Sequence, residues 1–171
     1  MPSHFQGPKD IIQALNAYIN LIRASDSVLS RTNPGIEARG LTMGQFGVLE
    51  ALLHLGPMCQ KSLGEKLLRS GGNITLVVDN LEKRGWVRRE RQTDDRRMIV
   101  IHLTSAGRQL ISKVFPGHAR EIARLIKILS AREQRELRRI CGKLGRGIAG
   151  ERKRESESGS AHRSGGKGEK Q

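Results

Sequence analysis

A mainly α-helical fold with a single β-hairpin is predicted by three observations. Apolar residues recur at spacings of three and four through most of the chain, the period of a helix packed on one side. That period changes to two only between Trp86 and Leu103. The chain has 171 residues, 36% of them hydrophobic, enough for one core and too few for a large multidomain enzyme.

The elements follow in order. Ile11, Ile12, Leu15, Ile19 and Ile22 share one helical face and predict a first helix of about three or four turns, within residues 10–30. Asn33, Pro34, Gly35 and Gly40 mark a loop. Thr42 with Gln45 three residues on is a capping-box start for a second helix carrying Phe46, Leu49 and Leu53, and Gly56 and Pro57 end it. Residues 60–68 form a short third helix with Leu63 and Leu67 on one face, and Ser70 stands ready to cap a fourth that ends at Arg84 before Gly85. Val87 then alternates with Arg88 and Arg89, and Ile99, Ile101 and Leu103 alternate with Val100 and His102. These two strands flank a polar turn at 92–97 and make the hairpin. Thr104 caps a fifth helix through Leu110, Ile111 and Val114. A bend or break is expected at Pro116 and Gly117 before it continues through Ile122, Leu125 and Leu129. A sixth helix carries Leu137, Ile140, Cys141 and Leu144. Residues 1–145 thus read as one domain. Residues 146–171, rich in glycine, serine and charge, read as a disordered basic tail.

Charge narrows the partners. Lys and Arg total 31 against 17 Asp and Glu, a net charge of +14, which favours nucleic acid first and an anionic membrane surface second. No apolar run reaches the ~20 residues of a bilayer span, and the first ten residues lack the pattern of a secretory signal, so a cytoplasmic protein is expected. Cys59 and Cys141 are too few for a disulfide framework, and the five histidines lack metal-ligand spacing. Gly145, Gly147 and Gly150 match a dinucleotide fingerprint, but without the strand before and helix after that the motif requires. Without a nucleophile motif either, no enzyme activity and no cofactor are expected.

Two short helices joined by a tight turn and followed by a hairpin make the plan of a winged helix-turn-helix, whose second helix enters the major groove of DNA. In the fourth helix Ile74, Val77, Val78 and Leu81 form the apolar stripe, which leaves Gly72, Asn73, Thr75 and Leu76 to project near its start. Asn73 suits adenine, Thr75 a base or a phosphate, and the glycines permit close backbone approach. The segment 83–97 adds seven basic side chains, among them Arg84, Arg91, Arg96 and Arg97. An arginine at the hairpin tip, held by a neighbouring aspartate, suits a narrow minor groove. The candidate DNA-contact set is therefore Ser70, Gly72, Asn73, Thr75, Arg84, Arg91, Asp95, Arg96 and Arg97.

Several motifs in fixed order carry a family resemblance. They are Gly40-Leu41-Thr42, Gln45-Phe46, Leu49, Gly56-Pro57, the helix end Val78-Asp79-Asn80-Leu81-Glu82-Lys83-Arg84-Gly85, the wing Asp94-Asp95-Arg96-Arg97 and the closing Leu103-Thr104 with Gly107. Over about residues 10–145 the chain resembles the MarR (multiple antibiotic resistance regulator) family. The resemblance implies a winged-helix fold and a homodimer built from the first, fifth and sixth helices. It also implies a two-fold DNA site and an Asp95–Arg97 wing pair. Family members are mostly repressors released by small phenolic or otherwise aromatic ligands, or by cysteine oxidation. The stretch 45–56 with 70–75 looks closest to the branch that answers quinones and hydroxylated aromatics. At Gly71, Gly72 and Leu76 the chain departs from the commoner Arg or Ser, which shifts recognition toward Asn73, Thr75 and the wings.

Dimerisation, through helices at about 10–30 and 104–145, also has a physical warrant. A winged part of about 65 residues, 41–103, cannot cover the apolar stripes of both terminal helices, and a two-fold dimer with recognition helices about 34 Å apart predicts an inverted-repeat operator in double-stranded DNA. A pocket for a small aromatic effector is expected between the dimer helices and the winged part, with Tyr18, Phe46, His54, Phe115 and His118 as candidate liners. Cys59 stands where a helix N-cap belongs, which suits either a redox sensor or a small loop residue, while Cys141 reads as packing. An architectural DNA-binding protein without an effector is the alternative.

Overall fold

A computed structural model describes residues 4–67, 71–92 and 98–164. These form two compact units that divide after Leu125. The elements are α1 (Lys9–Glu37), α2 (Met43–Leu55), β1 (Met58–Cys59), α3 (Gln60–Lys66), α4 (Gly71–Lys83), β2 (Val87–Arg91), β3 (Ile99–Leu103), α5 (Ser105–Ile126) and α6 (Ala131–Ser164). The fold is mainly helical with an antiparallel sheet of order β1-β3-β2, the winged helix-turn-helix that the sequence predicts. Ser70 and the hairpin turn at 93–97 lie outside the described residues.

Local chemistry fixes the helix ends. Thr42 Oγ1 accepts from the Gln45 N–H (3.2 Å) and Gln45 Oε1 from the Thr42 N–H (3.0 Å), the reciprocal box that starts α2. The ends of α1 and α4 are the same motif twice. After α1, Leu41 N–H donates to the Ile36 carbonyl and Gly40 N–H to that of Glu37. After α4, Trp86 N–H donates to Leu81 and Gly85 N–H to Glu82. Both are Schellman caps, and both place glycine at φ +68°, where a Cβ would be strained.

The core of the first unit is continuous. Leu41, Phe46, Val48, Leu49 and Leu52 around α2, Leu63 of α3, Ile74, Val78 and Leu81 of α4, Val87 and Ile101 of the sheet, and Ile111 and Val114 of α5 are all buried. The predicted stripe of α4 thus faces inward.

Four expectations need correction. The first helix does not stop before a loop at Asn33, Pro34 and Gly35 but runs on to Glu37. Proline removes one helical hydrogen bond, yet Thr32 and Ile36 are buried on either side of Pro34 and hold the turn in place. The fifth helix is likewise uninterrupted at Pro116 and Gly117. Ring contacts of Phe115 with His54 and of His118 with Phe46 anchor it to α2 on both sides of the proline. A two-residue strand, β1, was not expected; it pairs Met58 with Ile101 and Cys59 with Val100. Finally, α6 continues past residue 145 to Ser164, where the sequence predicts a disordered tail. Glu, Lys and Arg, which fill residues 151–155, are good helix formers by intrinsic propensity.

In the second unit, Ser130 Oγ accepts from the Glu133 N–H (3.3 Å) while Glu133 Oε2 accepts from the Ser130 N–H (2.7 Å), a capping box that starts α6. Leu137, Ile140, Leu144 and Ile148 form an exposed stripe along that helix. No helix of the described residues is long and apolar enough to cross a membrane.

Candidate nucleic-acid interface

The outward face of α4 is set by its period. With Ile74, Val78 and Leu81 buried, Gly72, Asn73, Leu76 and Lys83 are exposed on the other side and Asn80 is half-buried beside them. Thr75 is drawn partly inward, where its Oγ1 accepts from Gln60 Nε2 of α3 at 2.7 Å. That bond ties the two helices of the helix-turn-helix together. Of the candidate contacts on this helix, Gly72 and Asn73 are free of side-chain cover at its N-terminal end, where anions are favoured.

The hairpin is fixed to α4 by arginine. In the register Arg89 lies opposite Ile101 and shares the inner face with Val87, so its side chain points back at α4. Arg89 Nη1 donates to Glu82 Oε2 and Nη2 to Asp79 Oδ1, both at 2.5 Å, and its backbone N–H donates to Glu82 Oε1 at 2.8 Å. Arg88 faces outward and pairs with Glu90. Arg91 is exposed at the end of β2. Arg84 is engaged within the protein: its Nη1 donates to the Gly40 carbonyl (2.6 Å) and its guanidinium lies 3.7 Å over the Trp86 ring. Asp95, Arg96 and Arg97 lie outside the described residues.

Arg89→Ala is expected to cost about 1 kcal/mol, held to that size because both carboxylate partners are more than a third exposed. Arg89→Lys is expected to recover little, since an ammonium cannot span two carboxylates as the guanidinium fork does. Thermal melts check both, and an alanine variant with an unchanged Tm would mean that the sheet alone holds the hairpin root.

Four of the five predicted pocket residues meet in pairs between α2 and α5. Phe46 and His118 have ring centroids 4.5 Å apart, and so do His54 and Phe115. Tyr18 is 61% exposed on α1 and joins neither pair. Beside the aromatic pairs, a cleft of about 250 Å³ opens between α1 and α5, and of the five predicted residues only His118 lines it. Its walls carry Arg31, Arg39, Lys113 and Arg120 against the single carboxylate of Glu121, which is hydrogen-bonded to Arg124. Sequence reasoning missed these cations because they come from segments about eighty residues apart.

The sequence profile of the MarR family matches residues 41–99, which hold α2 to the start of β3. The chain is also 35% identical over 137 residues to the HTH-type transcriptional regulator YkoM of Bacillus subtilis (strain 168), covering 80% of this chain and 89% of that one. The chain belongs to the MarR family. A second MarR-type relative, the HTH-type transcriptional regulator MhqR of Bacillus subtilis (strain 168), is 37% identical over 121 residues, 71% of this chain and 83% of its own. The MarR regulator AbsC of Streptomyces coelicolor has the same fold, with a TM-score of 0.75 at 22% identity over 85% of this chain and 99% of its own. This MarR-family chain is accordingly a DNA-binding transcriptional regulator and not an enzyme.

Two side chains of this MarR fold are electrostatically distinctive. Cys59 caps α3: its Sγ accepts from the Ser62 N–H (3.4 Å) and lies 3.1 Å from the Ser62 hydroxyl. The Ser62 hydroxyl and then its amide hold the thiol below its ordinary value. Burial holds the His118 imidazole below its ordinary 6.5, with Glu50 pulling the other way. The unfolded chain therefore takes up this proton at a higher pH than the folded one. Stability from His118 is complete above about 6.5 and is lost as the pH falls toward the lowered folded-state value. His118→Asn is expected to reduce the loss of Tm between about pH 7 and 5; parallel Tm profiles for variant and parent would remove His118 from the account.

Proposed function

We propose that this chain is a homodimeric repressor that reads an inverted-repeat operator through α4 and the hairpin. A small aromatic acid bound in the cleft between α1 and α5 releases it. The observation that carries the reading is the exposed N-terminal half of α4, small and polar around Gly72 and Asn73, next to a hairpin whose Arg88 and Arg91 face solvent. The Staphylococcus aureus MepR–DNA complex shares the fold, which supports a duplex as partner.

Support for the dimer lies in uncovered apolar surface. Ile11 and Ile22 on α1 and the α6 stripe are exposed in the single chain, and apolar surface of this extent marks an interaction face. A second copy covers it in the proposed dimer.

Support for the effector lies in the cleft's size and its excess of cations, which suit a ring bearing a carboxylate or phenolate. Two proteins of the same fold have been solved with such molecules, NadR with 4-hydroxyphenylacetate and RdhR with 2,4-dichlorophenol. Occupancy acts by its differential affinity for the DNA-competent and released states.

Selection of bound duplexes from a random library at about 150 mM salt tests the first part, because lower salt inflates phosphate-only binding. An inverted repeat is expected, and recovery of no common sequence would favour an architectural protein. Phenolic acids, neutral quinones and thiol oxidants are then added separately to the complex. Release by the acids alone is expected, whereas release by oxidant, lost in Cys59→Ser, would move the switch to the thiol.

A further inference from the structure

We propose that Leu76 reads bases: together with the bare backbone of Gly72 it forms an apolar subsite for the 5-methyl group of thymine. The inference rests on the reading above that α4 enters the major groove. Leu76 is 62% exposed, more than any other large apolar side chain described in the first unit. It lies two residues from both Ile74 and Val78, which are buried, and so projects from the side of α4 opposite the core. Among the described residues nothing buries it.

The neighbours define what it can meet. A helical side chain leans toward the turn before its own Cα, which for Leu76 is the turn of Gly72 and Asn73. At Gly72 a Cβ would find nothing within 4 Å, so that flank is open. The two residues beside Leu76 on the inward edges are held by the protein, Thr75 by Gln60 and Asp79 by Arg89. Asn73 and Asn80 remain on the outward face with it, three residues before and four after. From Gly71 to Asn80 the helix has no basic side chain, so beyond the backbone N–H groups of its first turn this stretch offers a phosphate no charge.

In the major groove, thymine's methyl is the apolar group among base edges that otherwise present donors and acceptors. Asparagine pairs with adenine N6 and N7. A leucine between two asparagines therefore selects thymine at a position next to adenine. Removing one buried methyl is expected to weaken binding about fourfold per half-site.

The test is a double-mutant cycle on the full chain. The selected operator is synthesised with deoxyuridine replacing one thymine at a time in each half-site, and each duplex is titrated with the parent and with Leu76→Ala. At one position the parent is expected to lose about fourfold per half-site with deoxyuridine, and Leu76→Ala to bind both duplexes alike. Leu76→Met, which keeps an apolar tip, is expected to retain most of the discrimination. Equal melting temperatures of the variants exclude an effect through folding. If deoxyuridine weakens parent and Leu76→Ala equally, or weakens neither anywhere, the subsite is overturned while the major-groove reading stands. If no common sequence is selected, the major-groove reading fails and this inference with it.

Discussion

Replacing Gly107 by alanine is expected to destabilise the protein by about 3 kcal/mol, the upper end of what overpacking costs. A Cβ at this position would lie 1.9 Å from the Trp86 carbonyl oxygen and 2.8 Å from its carbon. Those are backbone atoms and cannot rotate aside. The same carbonyl accepts the Thr104 N–H (3.1 Å), while Thr104 Oγ1 donates to the Gly85 carbonyl (2.7 Å) and accepts the Gly107 N–H (3.0 Å). Any shift that relieves the clash thus pulls on the cap of α5 and the root of the hairpin together. At roughly 2–4 °C per kcal/mol for a chain of this size, Tm should fall by roughly 6–12 °C. Gly117→Ala is the control, since its Cβ would meet nothing within 4 Å inside the same helix. It should raise stability by up to about 1 kcal/mol. Matching melts for the two variants, taken at equal protein concentration, would show that the α5 cap and the hairpin root give way around the added methyl without cost.

The second large effect concerns assembly. Ile140→Asp is expected to leave a folded monomer that binds operator at least about a hundredfold more weakly, because two linked half-site contacts become one. Ile140 is half-exposed in the middle of the α6 stripe, with Leu137 and Leu144 a turn to either side. In the proposed dimer a carboxylate there would be taken out of water without a partner, once per copy. Arg139→Gln, one residue away and off the apolar stripe, where the guanidinium pairs with Glu136, should remain dimeric. Light scattering after gel filtration reads the mass, and a titration of the selected duplex reads the affinity. A dimeric Ile140→Asp would place the subunit contact elsewhere.

What the sequence disclosed was mainly local. The Thr42–Gln45 box, the stops at Gly56 and Gly85, and the Thr104 cap depend on residues three or four apart, and each stands where its chemistry predicts. The period of α4 was equally legible, and with it the outward position of Asn73. What escaped depended on distant partners. Pro34 and Pro116 break helices unless something holds the flanking turns, and here the burial of Thr32 and Ile36 against the core does so for the first and the ring contacts of Phe46 and His54 for the second. β1 has two residues and therefore no period to detect; its pairing with β3 is supplied by Ile101 and Val100. Arg89 is one of seven basic side chains in 83–97 and nothing in that count sets it apart, although strict alternation from Val87 puts it on the inner face. Arg84 offered no such signal, because its acceptor lies 44 residues earlier.

That long-range bond also gears two parts of the molecule together. The Gly40 carbonyl belongs to the reversal after α1, and the Arg84 guanidinium that donates to it leaves the last turn before the reversal after α4. The guanidinium also rests on Trp86, the first residue of the hairpin's root. Arg39, one peptide before Gly40, lines the cationic cleft. A molecule that displaces Arg39 is therefore expected to strain the Arg84–Gly40 bond, and through it the end of α4 and the root of the hairpin together, as one lever and not as two independent arms.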